Sequence, residues 1–190
     1  MKGSLAYFIA LIFASAFAYL TRLTLLHNLT QVEFGLFYAV LTFISIFLML
    51  RNFGMYHSLV KFIPEYIVKK QYGRIKSALS FVFLSQTLFS VIFISIIWYF
   101  SLFLTEFYFK DPNALWVLRI LSFYFFTSIL FKLMGAYLRG FQNNFVAALI
   151  EPVKNLFMLL TVILLSYFGF GIFSAVWAYV GAGLVIFALF

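Results

Sequence analysis

Five cationic side chains stand inside or at the rim of stretches that are otherwise apolar: Arg22, Arg51, Lys61, Arg119 and Lys132. Their chemistry is anion recognition. A guanidinium presents a planar fork that matches two phosphate or carboxylate oxygens, an ammonium supplies a compact charge with three donors, and both gain strength where water is excluded. A sixth candidate is Glu151, in the stretch Glu151-Pro152-Val153-Lys154-Asn155. Its carboxylate and the Lys154 ammonium, three residues apart, share a helical face within pairing reach. A carboxylate beside a proline kink can instead take up a proton or a sodium ion, as in ion-coupled carriers. No catalytic constellation accompanies these residues. The sequence has no His/Asp/Glu cluster at metal-ligand spacing, no Gly-rich phosphate loop after a strand, and no serine or histidine with an evident triad partner. Cysteine is absent, which removes thiolate metal sites and thiol nucleophiles. No enzyme activity, metal or cofactor is expected.

The elements that must position these side chains are set by composition. With 66% hydrophobic, 23% aromatic and only 9% charged residues, a water-soluble fold would have too little polar surface, whereas a bilayer accepts apolar runs of about 20 residues. The lipid bilayer is therefore the first partner. The net charge of +8 would suggest nucleic acid in a soluble protein, but these charges gather where apolar runs end, and nucleic acid is not expected as a partner.

Uncharged runs of about 19 residues (Lys2 to Arg22) and about 17 (Glu33 to Arg51) give two spans, and about 29 residues between Lys76 and Glu106 give a long third. A fourth covers roughly 113–138 after the turn Lys110-Asp111-Pro112-Asn113. The remaining apolar stretch divides at Tyr167-Phe168-Gly169-Phe170-Gly171 into spans near 144–166 and 172–190. The expectation is an all-α integral membrane protein, a single six-helix bundle over 1–190 with helices at about 4–26, 34–58, 77–105, 113–138, 144–166 and 172–190. Lys69, Lys70, Arg74 and Lys76 follow span two and Arg139 follows span four, while the loop holding Glu106 and Asp111 is slightly acidic. Retention of basic loops on the cytoplasmic side then places both chain ends inside.

Two local matches carry little weight. Ala16-Phe17-Ala18 fits a small-x-small cleavage pattern, but one lysine makes a poor n-region and five further spans favour an uncleaved first helix. Asn28-Leu29-Thr30 fits the glycosylation sequon yet lies close to the membrane and is read as incidental. The last span closes on Phe190 with no polar flank, which at this level reads as a chain cut before a further segment.

Helical spacing assigns the cations to faces. Arg51, Gly54, Ser58, Lys61 and Glu65 fall in a stripe roughly 80° wide, opposite Phe53, Tyr56, Leu59, Val60 and Ile63, so the stretch reads as an amphipathic extension of span two. Arg51 lies about 26 Å along that helix from Phe34, where it either snorkels to lipid phosphates or enters a lumen. Arg22 is late in span one, against the positive-inside bias, and shares a face with Ser15, Ala18 and Tyr19; an interior position is expected because lipid exposure there is costly. Arg119 raises the same question from span four. Lys132, with Ser128 and Gly135 on its face, either lines a cavity or anchors the inner end of that span.

Taken in order, these features resemble polysaccharide flippases of the multidrug/oligosaccharidyl-lipid/polysaccharide exporter superfamily. The resemblance rests on an arginine late in span one (Arg22), a short loop ending in Glu33-Phe34-Gly35, a Gly-centred end of span two (Arg51 to Gly54), and an amphipathic piece with Lys61, Pro64 and Glu65 before a basic loop. It covers most of the chain and is strongest over 15–80. It implies a carrier of two six-helix lobes, of which this chain is the first, moving a lipid-linked oligosaccharide across the cell membrane by alternating access. Arg22 and Arg51 would hold the anionic headgroup. Where some relatives carry another arginine near the end of span one, this chain has His27-Asn28. The superfamily's cation-coupled drug exporters often carry an acidic residue in span one, which this chain lacks. That leaves drug export as the alternative, with a non-transporting membrane scaffold as a third class that would have no cavity between spans one, two and four.

Overall fold

The computed structural model describes residues 2–51 and 53–189 and consists, among these, of α-helices and one π-helical turn. Phe190, the expected end of the last span, lies outside the described residues. The helices are α1 (Lys2–Asn28), α2 (Gln31–Arg51), α3 (Met55–Val68), α4 (Tyr72–Phe103), α5 (Ala114–Ser122), α6 (Tyr124–Gly140), α7 (Asn144–Tyr167) and α8 (Ile172–Leu189). Five segments are long and apolar enough to cross a membrane, with a shorter apolar helix at Ile172–Ile186. The protein is an all-α, multi-pass membrane bundle.

Caps explain the helix boundaries. Between α1 and α2 the backbone N–H and the hydroxyl of Thr30 both donate to Glu33 Oε2, at 3.0 and 2.9 Å, and the Glu33 N–H donates back to Thr30 Oγ1 at 3.3 Å. This is a reciprocal capping box, with the carboxylate also facing the positive end of the α2 dipole. The acidic-aromatic-glycine step therefore has a structural reason independent of any ligand. Asn143 caps α7 by accepting from the Val146 N–H, and α7 ends at the aromatic-glycine stretch, where Gly169 and Gly171 take φ of 76° and 52°.

One expected element is interrupted. The polar stripe from Arg51 to Glu65 does not lie on one continuous helix: α2 stops at Arg51, and Phe53 (φ 38°) and Gly54 (φ 71°) enter the left-handed region before α3 begins. Glycine adopts this conformation freely, while a following helix cannot continue through it in register. The amphipathic reading survives within α3, where Tyr56, Leu59 and Ile63 are buried and Ser58, Lys61 and Glu65 are exposed. Glu65 accepts from Lys69 Nζ at 2.6 Å on the surface, and that hydrogen bond holds its carboxyl below the usual carboxylate range. The third span exceeds expectation too: α4 and the π-helical turn Leu104–Phe109 run on for 38 residues, far more than the roughly 30 Å of hydrocarbon requires.

The segment Ala114–Gly140 is the axis of the bundle, 61% of its most apolar window being buried. It is one span bent at Phe123, where α5 meets α6. Around it α2, α5 and α8 enclose Phe37, Val40, Ile44, Leu118, Leu121 and Val176, while α3, α4 and α6 share Leu59, Ile63, Ile75, Val82 and Ala136. α1 takes a peripheral course. Although only a short turn joins it to α2, it scarcely touches that helix and runs along α7 instead, where Asn155 Nδ2 donates to the Ala14 carbonyl at 2.9 Å.

Small residues weld the axis to its neighbours. A Cβ on Gly183 of α8 would lie 2.6 Å from the Thr127 carbonyl oxygen, and one on Gly140 would lie 2.8 Å from Ile63 Cβ. Gly183→Ala is expected to lower stability by about 1–3 kcal/mol through overpacking, whereas Gly181→Ala, with nothing within 4 Å, should be neutral. Thermal unfolding of the detergent-solubilised protein compares the two, and equal melting temperatures would contradict the close packing of α6 on α8.

Candidate functional site

Two cavities lie along the α6–α7 seam, and they bring Lys132, Arg139, Glu151, Lys154 and Asn155 together. The first, about 220 Å³, is walled by Tyr56 and His57 of α3, Lys132, Gly135 and Arg139 of α6, and Glu151 of α7. Lys132, Gly135 and Arg139, at i, i+3 and i+7, fall on one face of α6. Gly135 makes room: a Cβ there would sit 3.4 Å from a terminal nitrogen of Arg139. Lys132, Arg139 and His57 have no ion-pair partner among the described residues, whose two ion pairs are Lys69–Glu65 and Lys154–Glu151. The Tyr56 hydroxyl is buried without a partner. The cavity thus offers spare donors and net positive charge, a fit for an anion carrying several oxygens.

A second pocket of about 140 Å³ is formed by Ala18 and Thr21 of α1, Tyr38 of α2, Tyr124 of α6, Lys154, Asn155 and Met158 of α7, and Tyr179 of α8. Its walls are tyrosine rings, Tyr124 and Tyr179 lying 5.9 Å apart at 72°. Lys154 stands between the two cavities. Its ammonium meets Glu151 Oε2 at 2.6 Å and sits 4.7 Å from the centroid of Phe131, so the expected local pairing of Glu151 is present.

The sequence candidates separate on this frame. Lys132 and Glu151 share the first cavity. Arg22 is exposed, its guanidinium 5.4 Å from the Tyr38 ring centroid. It stands beside the tyrosine pocket, whose α1 wall is Ala18 and Thr21. Ser15 and Tyr19, its expected companions, are exposed as well, Tyr19 at 63%. Lys61 is exposed on α3 with its ammonium 5.4 Å from the Phe62 centroid, outside both cavities. Arg119 ties α5 to α4, donating from Nε to Ser101 Oγ at 3.1 Å with Trp98 and Trp116 at 5.7 and 5.8 Å.

Arg51 differs most from expectation. It neither snorkels nor lines a lumen; at 1% exposure it is among the largest fully buried side chains. One terminal nitrogen donates to Ser90 Oγ at 2.8 Å and to the Phe125 carbonyl, and the other donates to Ser128 Oγ at 2.9 Å. Gln86 Nε2 then donates to the Arg51 carbonyl at 3.2 Å. The side chain pins the end of α2 to α4 and to the first turn of α6, just past the bend. Ser128, expected on the Lys132 face, serves this cluster.

Sequence reasoning passed over Tyr38, Tyr124, Tyr179, Asn155, His57 and Arg139 as site residues. In a chain with 12 tyrosines and 29 phenylalanines a tyrosine in a span carries little signal by itself. The retrievable signal was Lys154-Asn155, a strongly polar pair within an apolar helix, and Lys132 with Arg139 two turns apart on α6.

A family model described as polysaccharide biosynthesis protein matches residues 1–190. No curated protein matches, and no solved structure matches.

Proposed function

The chain belongs to the polysaccharide biosynthesis protein family, and from that membership and its cation-lined interior we propose that it is a carrier lobe moving a lipid-linked oligosaccharide across the cell membrane by alternating access. The observation that carries this reading is the first cavity, where Lys132, Arg139 and His57 face Glu151 with their donors uncommitted. Lys132 is half-buried in the wall, while Arg139, His57 and Glu151 are exposed at the mouth, so the cavity opens outward with a positive field that draws an anion to it. A phosphate or diphosphate headgroup supplies that anion while its lipid tail stays in the bilayer. Lys132, Arg139 and His57 take the headgroup, Arg22 guides it at the rim of the second pocket, and Arg51 and Arg119 hold the frame. Lys61 lies on the approach along α3. Glu151 is the group available for ion coupling, because release of Lys154 would leave its carboxylate free to take a proton. In a two-lobe carrier the partner would be a second six-helix lobe.

Drug export is less well supported, since a cationic cargo would want carboxylates where this cavity has cations. The scaffold reading is weakened by the pocket between α1, α2 and α6.

The direct test uses vesicles holding the full-length protein and a fluorescent lipid diphosphate oligosaccharide in both leaflets. Protein-dependent movement of the inner-leaflet sugar to a lectin added outside is expected. Exchange no faster than in protein-free vesicles would refute transport. Orientation has its own test in this cysteine-free chain: an impermeant maleimide should label Asp111→Cys in intact cells and leave Lys70→Cys unlabelled. The reverse pattern would invert the proposed cytoplasmic N-terminus.

A further inference from the structure

We infer that the tyrosine pocket is a sugar subsite, holding one pyranose ring of the cargo beside a headgroup bound in the first cavity; this rests on the flippase reading and adds to it the place of the sugar. Size comes first. A cavity of about 150 Å³ in a protein core accommodates one benzene ring, so the 140 Å³ here seats one ring, with the hydroxyls of a pyranose reaching out along the exposed Ala18 side.

The lining fits a neutral polyhydroxyl ring better than a phosphate. Tyr38, Tyr124 and Tyr179 offer ring faces to C–H groups, and their phenols are only half-buried and open to a ligand. Each phenol both donates and accepts, as sugar hydroxyls do. Asn155 spends one amide N–H on the Ala14 carbonyl, which fixes the side chain and leaves its second N–H and its Oδ1 for a ligand. Lys154 is already neutralised by Glu151 at 2.6 Å, and the nearby Arg22 stands at the rim and not in the lining, so the pocket itself lacks the uncompensated charge that a diphosphate requires. A half-buried pocket with this many open polar positions is not a dry packing defect, since empty cavities are apolar.

Position agrees with chemistry. Tyr124 and Lys132 are eight residues apart on α6, about 12 Å along its axis, so a headgroup at Lys132 and a ring at Tyr124 lie in sequence along one seam, with Lys154 at the junction. The two cavities then divide the cargo: anion in one, sugar in the other.

The test exploits the absence of cysteine. In the full-length detergent-solubilised protein, Ala18→Cys reports on the tyrosine pocket and Ala147→Cys, at the wall of the first cavity, on the anion site. Alkylation by a small thiosulfonate reagent is timed with a panel of methyl glycosides (glucose, galactose, N-acetylglucosamine, glucuronate) and with inorganic pyrophosphate. At least one glycoside at millimolar concentration should slow modification of Ala18→Cys threefold or more and spare Ala147→Cys, and pyrophosphate should do the opposite. Adding Tyr179→Phe, which keeps the ring and removes the hydroxyl, should abolish the glycoside effect. Pyrophosphate protection of Ala147→Cys with no glycoside protecting Ala18→Cys would overturn the sugar subsite and leave the flippase reading standing. Pyrophosphate protecting Ala18→Cys instead would overturn the division of the cargo. Failure of pyrophosphate at both positions would remove the headgroup site on which the subsite depends.

Discussion

Arg51→Lys is expected to unfold at lower temperature and to reach the membrane in reduced amount, losing about 1–3 kcal/mol, because a single ammonium cannot reproduce bonds that two guanidinium nitrogens make to three acceptors on two other helices. Interhelical hydrogen bonds within membranes average about 0.6 kcal/mol each and reach about 1.7, and the lysine variant also buries a charge with poorer solvation. A headgroup clamp or a lipid anchor would behave otherwise. A clamp mutated to lysine should fold normally and transport poorly, and an anchor should do both normally. Melting curves in detergent, read beside transport, separate the three. An Arg51→Lys protein with wild-type stability would contradict the buried cluster at the end of α2.

Lys132→Gln should do the reverse. Its ammonium faces the first cavity without an ion-pair partner, so its loss strands no buried group and stability should hold or rise. Affinity for an anionic headgroup should fall by about ten- to a hundredfold, the worth of one charge-assisted bond of about 1.5–3 kcal/mol. Transport at limiting substrate measures this, with Lys61→Gln beside it: that ammonium rests on Phe62 outside both cavities and its loss should cost far less. Equal losses from the two substitutions would mean that surface potential, and not the cavity, carries the selectivity. Unchanged transport by Lys132→Gln would remove this lysine from the proposed site.

How far these outcomes could be read from the chain itself depends on what kind of signal each residue left. The membrane class and most helix limits were legible, because the bilayer imposes a length on apolar runs and because Lys110-Asp111-Pro112-Asn113 and the aromatic-glycine stretch at 167–171 are strong turn formers. The break at Phe53 and Gly54 was not, since hydrophobic rhythm on either side of a glycine stays in phase whether or not the backbone turns through it. The fate of Arg51 was hidden for another reason. Depth along a helix can be counted from a sequence, but the partners that take a guanidinium out of the lumen, Ser90, Phe125 and Ser128, come from other helices and include a backbone carbonyl. Arg119 was claimed in the same way by Ser101 and two tryptophans. Lys132 differs because Gly135 and Ala136 beside it leave space. In an apolar bundle, the neighbours decide which cations remain free to act.

The loose seam between α1 and α2 gives the molecule an unequal stiffness. α6 and α8 are locked at Gly183, and α3 and α6 at Gly140, whereas α1 is fastened along α7 and joined to α2 through little more than the Thr30–Glu33 cap. α7 is itself packed on α8 and α6 and places Val162 in the core, so the loose edge of the molecule is the one between α1 and α2, hinged at the Thr30 end. Parting that edge would break few contacts and would open the wall formed by Ala18 and Thr21 sideways into the bilayer. The proposed cargo, whose tail would remain in lipid while its polar end moves through protein, would need a slit of this kind, and the slack edge of α1 is where one would form.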